Sequence, residues 1–174
     1  YKKDPGKYVV PIYGKRRRPN VEERVKGLEE FASTFVHNRM EWRERGIGIV
    51  TSGISYQYAM EVFPDASVLK LGMTFPLPRK LIEFFCDGVD RIYVIEELEP
   101  FLEEQLRIWN VKNPYGISDI TGKNAVPNMF ELSPDILRKT LDNGNGHTSF
   151  EKEISIPPRP PVLCPGCPHS GVYY

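Results

Sequence analysis

The sequence has no charge imbalance to offer a partner. Over 174 residues, 23 Lys and Arg are offset by 23 Asp and Glu, so no global field draws the chain to nucleic acid or to an anionic membrane. It has no apolar run of membrane-spanning length and no signal-peptide pattern at its front. Neither nucleic acid nor membrane is therefore expected as a partner, and the cytoplasm is the expected location. Cysteine is scarce: three thiols, an odd number, argue against a disulfide framework and suit a reducing compartment. Two phosphate and nucleophile signatures are also missing. Gly46 and Gly48 precede an apolar run, where a dinucleotide fingerprint would follow one, and Val50 stands where a nucleophile elbow around Ser52 would need glycine.

What is present begins with enough apolar material, 40% of residues, for one domain with a full core plus flanking segments. Proline is plentiful, 16 residues clustered towards the ends, about twice the usual share. Tyr1 is not an initiator methionine, and the sequence stops at Gly171-Val172-Tyr173-Tyr174 just as a helical pattern begins. The chain is expected to be a piece of a longer protein.

Gly46 to Arg107 organises the rest. Three short apolar runs, around Ile47–Val50, Ser67–Leu71 and Arg91–Ile95, alternate with segments of helical periodicity containing Tyr56–Met60, then Leu81, Ile82, Phe84 and Phe85, then Phe101–Trp109. This βαβαβα order requires parallel strands joined by crossovers. The fold class is therefore α/β, with a mostly parallel sheet. Ahead of it, Val21, Val25, Leu28, Ala32 and Phe35 mark one apolar helix face, with Asn20 as the expected N-cap and Glu22 and Glu23 in the first turn. The preceding run Lys15–Arg18 reads as a solvated linker. His37, near the helix end, reads as a surface residue or a partner of the helix dipole.

Several positions have the residue types for chemistry. Thr51-Ser52-Gly53 stands where a strand feeds a helix; it reads as a capped helix start, with anion or partner contact as the sharper reading. Gly72–Pro78 and Glu96-Glu97 fall at the carboxyl ends of the second and third strands, the edge where open α/β sheets carry ligands or interfaces. Met73, Phe75 and Leu77 suit burial against another surface. Glu96 and Glu97 are neighbouring carboxylates, but an extended strand points them to opposite faces, which disfavours a catalytic pair. Cys86, beside Phe84 and Phe85, reads as buried and inert. After Trp109, turn signals at Asn113–Gly116 and Thr121–Asn124 interrupt the pattern. Ser133 caps a short helix carrying Ile136, Leu137 and Leu141. Ile156–Pro161 forms a semi-rigid proline-rich connector. It leads to Cys164-Pro165-Gly166-Cys167-Pro168-His169. A Cys-x-x-Cys turn of this kind is compatible with two ligands of a metal or cluster, with a redox pair, or with a structural turn.

Two blocks together resemble a known family. The first comprises Gly48–Tyr56, Leu71–Pro78 and Val94–Glu103, and the second Arg159–His169. In order and spacing they are similar to the large (alpha) subunit of indolepyruvate:ferredoxin oxidoreductases, thiamine-diphosphate-dependent 2-oxoacid oxidoreductases. The resemblance implies a three-layer transketolase C-terminal-like domain over residues 46–155, with helices on both faces of the sheet. Residues 1–45 would be the linker and helix following a pyrimidine-binding domain. Residues 156–174 would be the proline-rich linker and the start of a diphosphate-binding domain. It further implies oxidative decarboxylation of arylpyruvates to aryl-acyl-CoA, using thiamine diphosphate with magnesium and 4Fe–4S clusters. A beta subunit and ferredoxin would be partners, and the arylpyruvate and coenzyme A substrates. Cys164 and Cys167 would be cluster ligands and His169 a cofactor neighbour. No catalytic residue is expected in this chain, and no cofactor is expected on it alone. The competing expectation is a non-catalytic α/β interaction module whose Cys-x-x-Cys tail binds zinc.

Overall fold

The computed structural model describes Lys2, Asp4 and residues 11–116 and 119–142. The elements are α1 (Pro11–Thr34), β1 (Arg39–Glu41), β2 (Glu44–Ser52), α2 (Ser55–Val62), β3 (Ala66–Leu71), α3 (Arg79–Cys86), β4 (Arg91–Ile95), α4 (Phe101–Ile108), β5 (Ile120–Thr121) and α5 (Pro134–Leu141). The five strands form one sheet in the order β1-β3-β2-β4-β5. Strands β3, β2, β4 and β5 run parallel, and β1 closes one edge antiparallel to β3.

The period of two along each central strand splits the core between the two faces. Val50, Leu69 and Val94 join Ile82, Phe85, Leu102 and Leu106 of α3 and α4 on one side. Their neighbours Ile49, Val68 and Ile95 join Ala59 and Phe63 of the α2 segment and Leu137 of α5 on the other. The architecture is thus the expected three-layer α/β fold. Gly48 of β2 is required by this packing, since a Cβ there would collide with both methyl carbons of Val89.

The elements differ from expectation in four places. Helix α1 starts at Pro11 and runs through Pro19, so Asn20 is not its N-cap and Lys15–Arg18 is helical. Only Ala32 of this helix is buried. Strand β1 carries too few residues to register as a period, and β5 occupies Ile120–Thr121, where turn residues follow at once. Phe84 is left 65% exposed, its ring edge-on to Trp42, while Ile82, Phe85 and Cys86 face inward. Ser133 caps α5 as read, accepting from the Ile136 N–H at 3.3 Å. His37 is an exposed turn residue whose ring meets Phe35 edge-on.

Candidate functional site: the carboxyl edge of the sheet

The loops that follow the four parallel strands converge on one edge. At the end of β2, Thr51 is fully buried and its hydroxyl donates to the Ile95 carbonyl at 2.7 Å. That bond ties β2 to β4 and occupies the hydroxyl. Gly53 takes a left-handed φ of 57°, and Ile54, the N-cap position of α2, provides no side-chain cap. The expected capped start is therefore absent.

Beyond β3, Asn38 holds the loop from below. Its side-chain oxygen accepts from the N–H groups of Gly72 (2.8 Å) and Met73 (3.0 Å). Its amide nitrogen donates to the Ala32 carbonyl of α1 at 2.6 Å. One side chain thereby fixes the end of α1 to the loop after β3. Gly72 lies so close to His37 that a Cβ would stand 2.8 Å from its carbonyl oxygen.

Beyond β4, Glu96 is 6% exposed. Its carboxylate accepts from the Leu102 N–H at 2.8 Å and the Glu103 N–H at 3.0 Å. These are orphan donors in the first turn of α4, whose own N-cap position is Pro100. Glu96 is thus a cap delivered from outside the helix, favoured by the helix dipole. Burial pushes its carboxyl above the ordinary glutamate range, against the pull of the two N–H groups and Lys123. Lys123 is pushed down by its own burial, against the surrounding glutamates. Its Nζ donates to the Glu96 carbonyl (2.5 Å) and the Pro127 carbonyl (3.3 Å). Glu103 accepts from the Lys123 N–H at 2.7 Å and from Arg107 Nε at 2.9 Å, and Gly122 packs directly on its carboxylate. Glu97 accepts from the Leu132 N–H at 3.4 Å.

Glu96, Glu97, Glu103 and Lys123 are therefore used to hold loops together. Glu96 and Glu97 do not converge on a common reacting point: one caps a helix, the other accepts from the Leu132 N–H. Sequence reasoning placed both at the right edge but missed Asn38, Glu103 and Lys123. Their partners lie from four to 35 residues away along the chain, and no local pattern links them. Among the described residues no three His, Cys, Asp or Glu side chains are grouped to hold a metal ion. The described residues consequently do not fit a magnesium–diphosphate site or a cluster. Cys164, Cys167 and His169 lie outside the described residues. Cys86 is buried, its thiol pushed up to about 12 by desolvation and by Glu83, which makes it inert as expected.

The edge also exposes several large apolar side chains. Ile54 follows β2, Phe75 (70% exposed) follows β3, Leu98 and Phe101 follow β4, and Met129 and Phe130 (84% exposed) follow β5. Leu98 and Phe130 hold left-handed φ values of 54° and 65°, a conformation that costs a side-chain-bearing residue about 1–2 kcal/mol. Beside them a cleft of about 340 Å³ opens between α4, the 75–77 loop and α1. A loop edge braced by internal hydrogen bonds and carrying exposed apolar side chains is suited to meet another surface.

Comparison with known proteins agrees with the resemblance. The chain is 33% identical over 195 residues to indolepyruvate oxidoreductase subunit IorA of Pyrococcus horikoshii, matching all of this chain and 30% of that protein. It is 33% identical over 192 residues to the subunit of the same name from Thermococcus kodakarensis, and 34% over 187 residues to that of Methanothermobacter marburgensis, again with all of this chain and 30% of each relative. No family model matches the chain. No solved structure matches it. The chain spans about 30% of the length of the curated relatives it matches, and from end to end it is similar to one segment of an oxidoreductase subunit of the IorA type.

Proposed function

We propose that this segment is the central scaffold domain of a thiamine-diphosphate-dependent 2-oxoacid:ferredoxin oxidoreductase, acting on indolepyruvate and related arylpyruvates. The end-to-end similarity to IorA subunits carries the reading. The apolar rim and the structural use of Glu96, Glu103 and Lys123 agree with a domain that positions others. On this reading residues 46–155 are the transketolase C-terminal-like domain, residues 1–45 lead in from a pyrimidine-binding domain, and residues 156–174 open a diphosphate-binding domain. The rim made by Ile54, Leu98, Met129 and Phe130 packs against those thiamine-binding domains. When bound, thiamine diphosphate supplies the electron sink for decarboxylation and the iron–sulfur clusters carry electrons to ferredoxin. This chain's residues contribute placement: Asn38 and Glu96 hold the loops that present the rim. Cys164 and Cys167 contribute two cluster ligands, and His169 lies near the cofactor. A beta subunit completes the enzyme, which works in the cytoplasm.

The test is anaerobic reduction of ferredoxin or a viologen dye by the full-length subunit with its partner subunit, given indolepyruvate, thiamine diphosphate and coenzyme A. Reduction that needs all three is the expected result. Protein that carries thiamine and iron but reduces nothing moves the substrate to another 2-oxoacid. Protein that carries neither overturns the enzyme and leaves the interaction module with a zinc-binding tail.

A further inference from the structure

The cleft beside α4 has a composition that selects its ligand. Phe101, Gln105 and Trp109 fall four residues apart and form one wall, and Phe75, Pro76 and Leu77 form the other. Grooves walled by aromatic rings and proline bind polyproline II segments, whose rigid form costs little entropy to hold. Such a segment makes no internal hydrogen bonds, so the Gln105 amide has backbone groups to meet. Two charged side chains also line the cleft, Arg79 and Glu29. Arg79 is engaged, bonded to Glu83 at 2.8 Å and lying over the Trp109 ring at 5.5 Å. Glu29 is half-buried, and among the described residues no cation pairs with its carboxylate. The cleft therefore suits a proline-rich partner bearing one positive charge.

The chain contains such a segment. Ile156-Pro157-Pro158-Arg159-Pro160-Pro161 presents Pro-x-x-Pro in two registers, with Arg159 as its single charge. We propose that this connector docks intramolecularly in the α4 cleft, its prolines against Phe75, Phe101 and Trp109 and Arg159 against Glu29. The tether allows it. Fourteen steps separate Asp142, where the described residues end, from Ile156, a reach of about 45 Å when extended. A domain of this size is roughly 40 Å across, and a tether that spans the distance makes the encounter intramolecular, with an effective concentration on the order of millimolar. Docking fixes Cys164, three residues past Pro161, beside the carboxyl edge. The inference requires neither thiamine nor iron, so its failure and that of the enzyme reading are separate results.

The full 174-residue chain carries its own labelling sites. A nitroxide attached at Cys164 and Cys167 leaves Cys86 untouched, because that thiol is buried and stays protonated. The expected result is that nuclear magnetic resonance signals of the Phe75, Phe101 and Gln105 amides and the Trp109 indole lose most of their intensity, while the remaining surface keeps its own. Arg159→Glu or Glu29→Lys should each restore the signals, and the two together should broaden them again. Broadening spread evenly or centred elsewhere overturns the proposal. So does broadening at the cleft that neither charge reversal relieves.

Discussion

At the scale of single residues, Glu96 shows how a group with the appearance of chemistry can be committed to structure. Its two oxygens close the first turn of α4, and Glu96→Gln keeps only one acceptor there. A hydrogen bond to a charged group contributes about 1.5–3 kcal/mol, so the variant should lose roughly that much stability at neutral pH in denaturant unfolding. The pH dependence has a definite sign. Burial raises the folded-state value above the ordinary 4.5, so within that window the folded chain retains a proton that the unfolded chain has released. Stability at this position is therefore greatest below about the ordinary value and declines as pH rises through the raised one. The stability difference between wild type and Glu96→Gln should shrink across that window; a difference that grows with pH would refute the assignment. The sequence revealed the Glu96-Glu97 pair but not its function, because the donors it satisfies lie six and seven residues on, across a turn with no capping residue of its own.

At the scale of elements, what was legible followed from repetition. Strands β2, β3 and β4 each bury enough consecutive residues to register as apolar runs, and α2 to α5 show helical spacing. Strands of three and two residues, β1 and β5, have too few positions for a period, and only tertiary pairing defines them. Helix α1 was misjudged for a different reason. Pro19 before Asn20 imitates a helix start, yet the helix passes through it, losing the bond from that nitrogen to the Lys15 carbonyl. Pro19→Ala should therefore strengthen the exposed half of α1, by up to about 3 kcal/mol locally, read as increased far-ultraviolet helical signal and slower amide exchange over residues 12–22. Unchanged exchange there would mean that the first half of α1 is not a helix in solution. The Asn38 brace between α1 and the 72–78 loop makes a second prediction at this scale. Asn38→Ala removes three hydrogen bonds and should cost about 1–3 kcal/mol. Amide exchange should rise first at Gly72 and Met73, before the sheet is affected.

At the scale of the whole molecule, the two strained residues of the rim separate what the chain needs for itself from what it offers to others. Phe130 is largely exposed, makes no ring contact among the described residues and holds a left-handed backbone. Leu98 is similar, exposed with positive φ. Among the described residues neither conformation is rewarded by burial, and backbone strain of this kind fits a role at a surface that another body covers. Glycine removes both the strain and the apolar side chain. Phe130→Gly should therefore raise the stability of the isolated chain, by about 1 kcal/mol after its greater unfolded-state entropy is counted. In the full-length enzyme the same change should act in the opposite direction. The domains should separate at lower denaturant concentration, with thiamine retention falling alongside, because the contact that repaid the strain is gone. A residue serving the fold of this chain would move both measurements down together. A residue with no role at all would leave assembly unchanged. Opposite signs in the two preparations are what a scaffold rim requires, and they can be read without assuming which 2-oxoacid the enzyme consumes.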